Sequence, residues 1–136
     1  MSNEYRTYNS HSVCGIWHPA VPQLSLIHIL MIDYILKWAS EKHLEIQINT
    51  CKDWMELAAA LEGKDWDMVI VALDGVRGLD TAASAQPLSR QLIWISDLDF
   101  GVQAYRMCVS YFFMKPVSCQ KMQRALECAL TEQGTK

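Results

Sequence analysis

"DMVIVAL", residues 67 to 73, decides the fold. After Asp67 the run stays apolar to Leu73, and Val69, Ile70 and Val71 are β-branched. A strand with one wet face alternates apolar and polar residues, so an uninterrupted run marks a strand covered on both faces, the condition of a parallel sheet. Working outward, "LIWIS" (92–96) reads as another buried strand and "YFFM" (111–114) as the last strand. "SVCGIW" (12–17) is a third, although Gly15 weakens it. "LEIQINT" (44–50) alternates at period two.

Helical spacing fills the intervals. From Val21 to Lys42, Pro22 suits a first turn, and Leu24, Ile27, Met31, Tyr34 or Ile35, and Trp38 form one stripe. "CKDWMELAAALEG" (51–63) is helical and stops at Gly63. "DGVRGLDTAASAQPLSRQ" (74–91) carries Gly75, Gly78 and Pro87, which leave room for only a short or ragged helix. "DFGVQAYRMCVS" (99–110) makes a helix with Asp99 as its cap. The last helix opens on Ser118 and aligns Met122, Ala125, Leu126, Ala129 and Leu130. Strands alternating with helices imply right-handed crossovers and a doubly wound α/β sheet of five parallel strands, flavodoxin-like, in the order 2-1-3-4-5 with helices on both faces. Sites in such folds lie at the carboxyl ends of the strands, beside the switch point between the first and third. The expected domain spans 11–131, between a polar tail at 1–10 and a C-terminal tail at 132–136.

Twelve Lys and Arg against fifteen Asp and Glu give a net charge of −3, the wrong sign for a chain that works by neutralising phosphates, so no direct nucleic-acid partner is expected. The five cysteines include no CxxC pair and sit in apolar segments, which points to a reduced, cytoplasmic protein with Cys14 and Cys108 as packing residues. The most apolar window, "LSLIHILMIDYILKW", is interrupted by His28 and Asp33 and falls short of the roughly 20 residues of a membrane span. The amino terminus has no signal-peptide core.

"LIWISDLDFGVQAYRMCVSYFFMKPVS" (92–118) resembles the last third of a response-regulator receiver domain (CheY-like), closest to receivers of LytTR-type transcription regulators. The matching features are a hydroxyl residue ending the fourth strand, "AY" in the next helix, an aromatic three residues before the lysine, and "KP". The resemblance implies that Ser96 is the switch hydroxyl, Phe112 the switch aromatic and Lys115 the lysine that contacts an acyl phosphate. It also puts Ala72 at the phosphoacceptor position, where the family has an aspartate. The family's metal-holding acidic pair is replaced within "WHPA" (17–20). Phosphoryl transfer to such a site needs a carboxylate nucleophile and an oxygen-liganded Mg²⁺. The resemblance therefore implies a pseudo-receiver that signals without phosphorylation, needs no cofactor or metal, and is not an enzyme. With no room for a DNA-binding domain after the last helix, the chain is expected to be an excised or a stand-alone receiver.

The other residues at the strand ends form a candidate pocket of His18, Asp74 and Asp97. Asp74 is either a shifted acceptor or the first residue of a "DG" turn, the latter preferred. His18 with Asp74 or Asp97 lacks close metal-ligand spacing. Lys115, without an acceptor, is expected to pair with Asp74, Asp97 or a terminal carbonyl. Phe112 is expected to be covered by Tyr105, Met107 and Tyr111. Leu26, Ile29, Leu30, Ile32 and Leu36 extend the first helix's apolar surface around most of its circumference. That surface, or the face of the fourth helix, fifth strand and fifth helix, is the expected seat of a protein partner or a dimer. The alternative reading is a small flavodoxin-like ligand-binding or catalytic protein that uses the crevice at the strand ends.

Overall fold

The computed structural model describes residues 10–17 and 26–135. Strand β1 (Ser10–Ile16) is followed by α1 (Leu26–Glu41), β2 (Glu45–Thr50), α2 (Trp54–Gly63), β3 (Met68–Val71) and α3 (Gly75–Ala85). Then come β4 (Leu92–Ser96), α4 (Gly101–Met107), β5 (Tyr111–Met114) and α5 (Cys119–Thr135). The strands are all parallel, in the order β2-β1-β3-β4-β5. This is the flavodoxin-like order read from the sequence. His18, Pro22 and Leu24 lie outside the described residues, as does the stretch 1–9 of the expected tail.

Period-two alternation sorts the core into two halves. Val13, Met68, Ile70, Ile93, Ile95 and Phe113 face α1 and α5, where Met31, Ile35, Met122, Ala125 and Leu126 meet them. Cys14, Ile16, Val69, Val71, Leu92 and Trp94 face α2, α3 and α4, meeting Leu57, Ala82, Ala85 and Ala104. All four residues of β3 and all five of β4 are buried, as an uninterrupted apolar run requires. At the amino ends, the Asp67 carboxylate accepts from the Ser12 amide at 2.8 Å while the Ser12 hydroxyl accepts from the Asp67 amide at 3.2 Å, which ties β1 to β3.

Several expectations need correction. The segment after β3 forms a regular helix of 11 residues rather than a ragged one. Gly75 takes a left-handed φ of +64° in the turn that starts it. Gly78 is there for proximity: a Cβ would lie 2.0 Å from the Leu73 carbonyl oxygen. Pro87 falls in a separate 3₁₀ turn, Gln86–Leu88, beyond the helix's hydrogen bonds. Gly15 does not break β1, since the Trp17 ring lies where its Cβ would stand. Residues 132–135, expected as a tail, continue α5. No helix among the described residues is long and apolar enough to cross a membrane.

Candidate functional site

The carboxyl ends of β1, β3, β4 and β5 converge, because register pairs Ile16 with Val71 and Ser96 with Met114. Ala72, immediately after β3, is 1% exposed and its amide donates to the Ile16 carbonyl at 2.8 Å. Its methyl belongs to the apolar core. A methyl has no lone pair, so the position assigned by resemblance to the phosphoacceptor holds neither a nucleophile nor a metal ligand.

Two residues on, Asp74 occupies the N-cap position of α3, but its carboxylate makes no cap. It accepts instead from Lys115 Nζ at 2.6 Å. The missing cap comes from the neighbouring strand end, where Asp97 Oδ1 accepts from the Gly75 amide at 2.9 Å. Helix N-termini carry unpaired N–H groups and a partial positive charge, so a carboxylate from any direction satisfies them. The "DG" turn reading of Asp74 thus holds for the backbone, while the carboxylate serves Lys115. Asp97 becomes the capping residue, a role that its position 22 residues away in sequence does not suggest.

Ser96 is fully buried, and its hydroxyl accepts from the Leu98 amide at 3.1 Å and lies 3.5 Å from Asp97 Oδ1. The Lys115 amide donates to the Ser96 carbonyl at 2.8 Å, which fixes the lysine beside β4. Of the sequence-derived candidates, Ala72, Asp74, Ser96, Asp97 and Lys115 therefore come together. His18 is outside the described residues.

Phe112 lies elsewhere, on the face of the sheet covered by α3 and α4. Its ring meets Trp94 edge-on at 5.2 Å and 68°, and Trp94 stacks on Phe100 at 5.3 Å and 14°. The expectation that Tyr105 and Tyr111 cover it fails. Tyr111 points to the opposite face by strand alternation, packing near Phe113 at 6.2 Å, and Tyr105 is 85% exposed. Trp94 meets the ring directly, and Met107, as expected, and Phe100 pack against the same cluster. Asp99 does act at the start of α4, its Oδ1 accepting from the Gly101 amide at 3.1 Å. Cys108, expected to pack, is exposed at the end of α4 with φ of 60°.

Asp74 is engaged by Lys115 and Asp97 by an amide, Ala72 offers no side-chain oxygen, and among the described residues no three His, Cys, Asp or Glu side chains converge. Hard cations such as Mg²⁺ require several oxygen ligands. Among the described residues, Asp74, Ser96, Asp97 and Lys115 bond to one another or to local backbone.

This architecture is the CheY-like receiver fold. Among solved structures, the chain is similar to a response regulator receiver domain protein from Clostridium thermocellum, with a TM-score of 0.69 and 16% identity over 92% of this chain and 98% of that one. It is also similar to the response regulatory domain of protein mrkE from Klebsiella pneumoniae (TM-score 0.67, 13% identity, 92% and 99% covered). An orphan response regulator of H. pylori aligns with a TM-score of 0.64 at 15% identity, covering 90% and 98%. No protein-family model and no curated protein matches the sequence.

Proposed function

We propose that this chain is a pseudo-receiver: a phosphorylation-independent signalling and protein-interaction module of a two-component-type, LytTR-like transcription regulator. It is cytoplasmic in this reading and catalyses no reaction. The observation that carries the reading is the pairing of Lys115 with Asp74 beside a buried Ala72. A receiver's lysine recognises a phosphoryl group on the residue at the end of β3. Here that residue is a methyl, and the ammonium already has an anion.

Incubation with a small phosphodonor and Mg²⁺ tests this. The intact mass stays unchanged, and an adduct mapping to Asp74 overturns the reading. Ala72→Asp alone also stays poorly labelled, since the crevice still lacks the ligands to hold a metal that neutralises the developing charge. Efficient labelling of that variant would mean that an acidic metal site persists.

Without a phosphoryl group, a two-state element shifts only through a ligand that distinguishes its states, which leaves protein partners and abundance as the means of regulation. Leu98, Val102, Tyr105 and Met114 stand exposed around α4 and β5, and Ile29 and Leu36 on α1. These are the candidate partner or dimer surfaces. Sedimentation of the wild type beside Tyr105→Glu and Leu36→Glu checks them, since one of the two substitutions should abolish self-association that is insensitive to Mg²⁺ and phosphodonors. The ligand-binding alternative is less well supported because Asp74, Asp97, Ser96 and Lys115 bond to one another or to local backbone, and a thermal-shift screen that finds a stabilising ligand would revive it.

A further inference from the structure

A second cluster of reactive side chains lies outside the crevice, in the core between β1 and the edge strand β2, where Cys14 and Cys51 are both buried. Cys14, on β1, and Cys51, the residue after β2, point to the same face and bring their sulfurs to 3.7 Å. The Asn49 side-chain amide lies 3.6 Å from each sulfur. The backbones are held together by the Cys51 amide, which donates to the Gly15 carbonyl at 2.8 Å. Sequence offered no sign of this pair. The residues are 37 apart, and only the register between β1 and β2 makes them neighbours.

We propose that Cys14 and Cys51 form a redox site, which a hydroperoxide converts to a disulfide joining β1 to the β2–α2 junction. Cys14 is the attacking sulfur. Either sulfur could donate across the contact; with Cys51 as the donor, and the Asn49 amide and the Lys64 ammonium adding to the effect, the Cys14 thiol is lowered, against the opposing influence of burial, from 9.0 to about 7. Cys51 is pushed far up as the donor in that bond, by burial, and by the negative charges of Cys14, Glu56 and Asp53. One proton is therefore shared between two sulfurs, leaving a thiolate beside a thiol near neutral pH.

The chemistry closes without further groups. The Cys14 thiolate attacks one oxygen of the hydroperoxide, the O–O bond breaks, and the departing hydroxide or alkoxide takes a proton from solvent. The resulting sulfenic acid is attacked by the Cys51 sulfur. An S–S bond forms, the S–O bond breaks, and the hydroxyl leaves as water with the proton that Cys51 gives up. Two thiols lose two electrons in all, and the peroxide gains them. The sulfurs must close from 3.7 Å to the roughly 2.0 Å of a disulfide. β2 is the edge strand and Cys51 lies just beyond its last residue, so the junction leading into α2 takes up that movement. That junction includes Asp53, whose carboxylate caps α2 through the Glu56 amide at 2.9 Å, and the exposed Trp54 and Met55. Oxidation thus shifts a surface of the domain without any phosphoryl group, whether or not the pseudo-receiver reading holds.

The test treats the native wild-type chain with hydrogen peroxide, blocks remaining thiols by alkylation, and maps the peptides. The expected product is a peptide linked through Cys14 and Cys51, reversed by a dithiol reductant. It should form about ten times faster at pH 8 than at pH 6, following the thiolate fraction. In Cys51→Ala, a cyclic diketone should trap a sulfenic acid on Cys14. In Asn49→Ala, oxidation should slow at pH 7 and recover the wild-type rate at pH 9. The exposed Cys108 reports delivery of the oxidant. Oxidised Cys108 with Cys14 and Cys51 both recovered as free thiols would overturn the proposal, as would oxidation of either without the linkage.

Discussion

Adding one methyl group at Gly78 should destabilise this domain, although the same change at Gly63, the last residue of α2, should not. In the middle of α3, glycine to alanine gains about 1 kcal/mol of helix propensity. Against that, the new Cβ would stand 2.0 Å from the Leu73 carbonyl oxygen and 2.9 Å from its carbon. Carbon and oxygen without a bond need at least 3.0 Å, so α3 and the end of β3 must separate by at least 1.0 Å, the difference between 3.0 and 2.0. The obstacle is backbone and has no rotamer to change. Overpacking of this kind costs roughly 1–3 kcal/mol, and the buried Thr81, Ala82 and Ala85 lose contact as α3 moves. The net expectation is a loss of about 1–2 kcal/mol. Gly63 is the control, because a Cβ there meets nothing within 4 Å. Gly63→Ala should be neutral or stabilise by up to about 1 kcal/mol. Urea unfolding at constant slope reads both as changes in midpoint. A Gly78→Ala midpoint equal to or above wild type would refute the close approach of α3 to Leu73, and with it the geometry that positions Asp74.

Three further outcomes can be measured on the same apparatus. Asp97→Ala removes the cap on the Gly75 amide and should cost about 1 kcal/mol. Asp74→Asn should cost less, well under about 1 kcal/mol, because its carboxylate is 59% exposed and solvent screens its pairing with Lys115. The order of these two losses is itself the check, since a larger effect of Asp74→Asn would mean that the ion pair rather than the cap holds the crevice closed. The third concerns pH. With Cys14 at about 7 against 9.0, the unfolded chain binds more protons than the folded one between those values, so this thiol's stabilising contribution grows as pH rises from 7 to 9. Above 9 the folded chain keeps the proton on Cys51 that the unfolded chain releases, and stability falls again. The difference in midpoint between wild type and the Cys14→Ala/Cys51→Ala double variant should pass through a maximum near pH 9, and a pH-independent difference would contradict the shared proton.

The run at 67–73 and the buried strand at 92–96 made the architecture readable, because burial on both faces leaves its mark in one short window of sequence, whereas the edge strand at 111–114 buries only Phe113. The separations between strands demanded right-handed crossovers and so a parallel sheet, for which 2-1-3-4-5 is the flavodoxin-like order. The same reading placed Ala72, Asp74, Ser96, Asp97 and Lys115 at one end of the sheet. It could not say which partner each would take. Whether Lys115 meets Asp74 or Asp97, and which carboxylate caps α3, depends on how loops that leave different strands are placed in space. Tyr111 was misjudged because its neighbourhood in sequence suggested cover that strand alternation sends to the other face. Gly78 read as a helix breaker for a similar reason, since propensity counts the cost of a missing side chain and not the backbone packed against the gap. The Cys14–Cys51 contact was the least legible, as register between neighbouring strands is set by packing across the whole sheet. Local pattern determines which segments are strands and helices and which faces they bury, because those choices depend on nearest neighbours along the chain. The pairing of charges and thiols is settled only in the tertiary structure, where groups far apart in sequence compete for the same few ångströms of space.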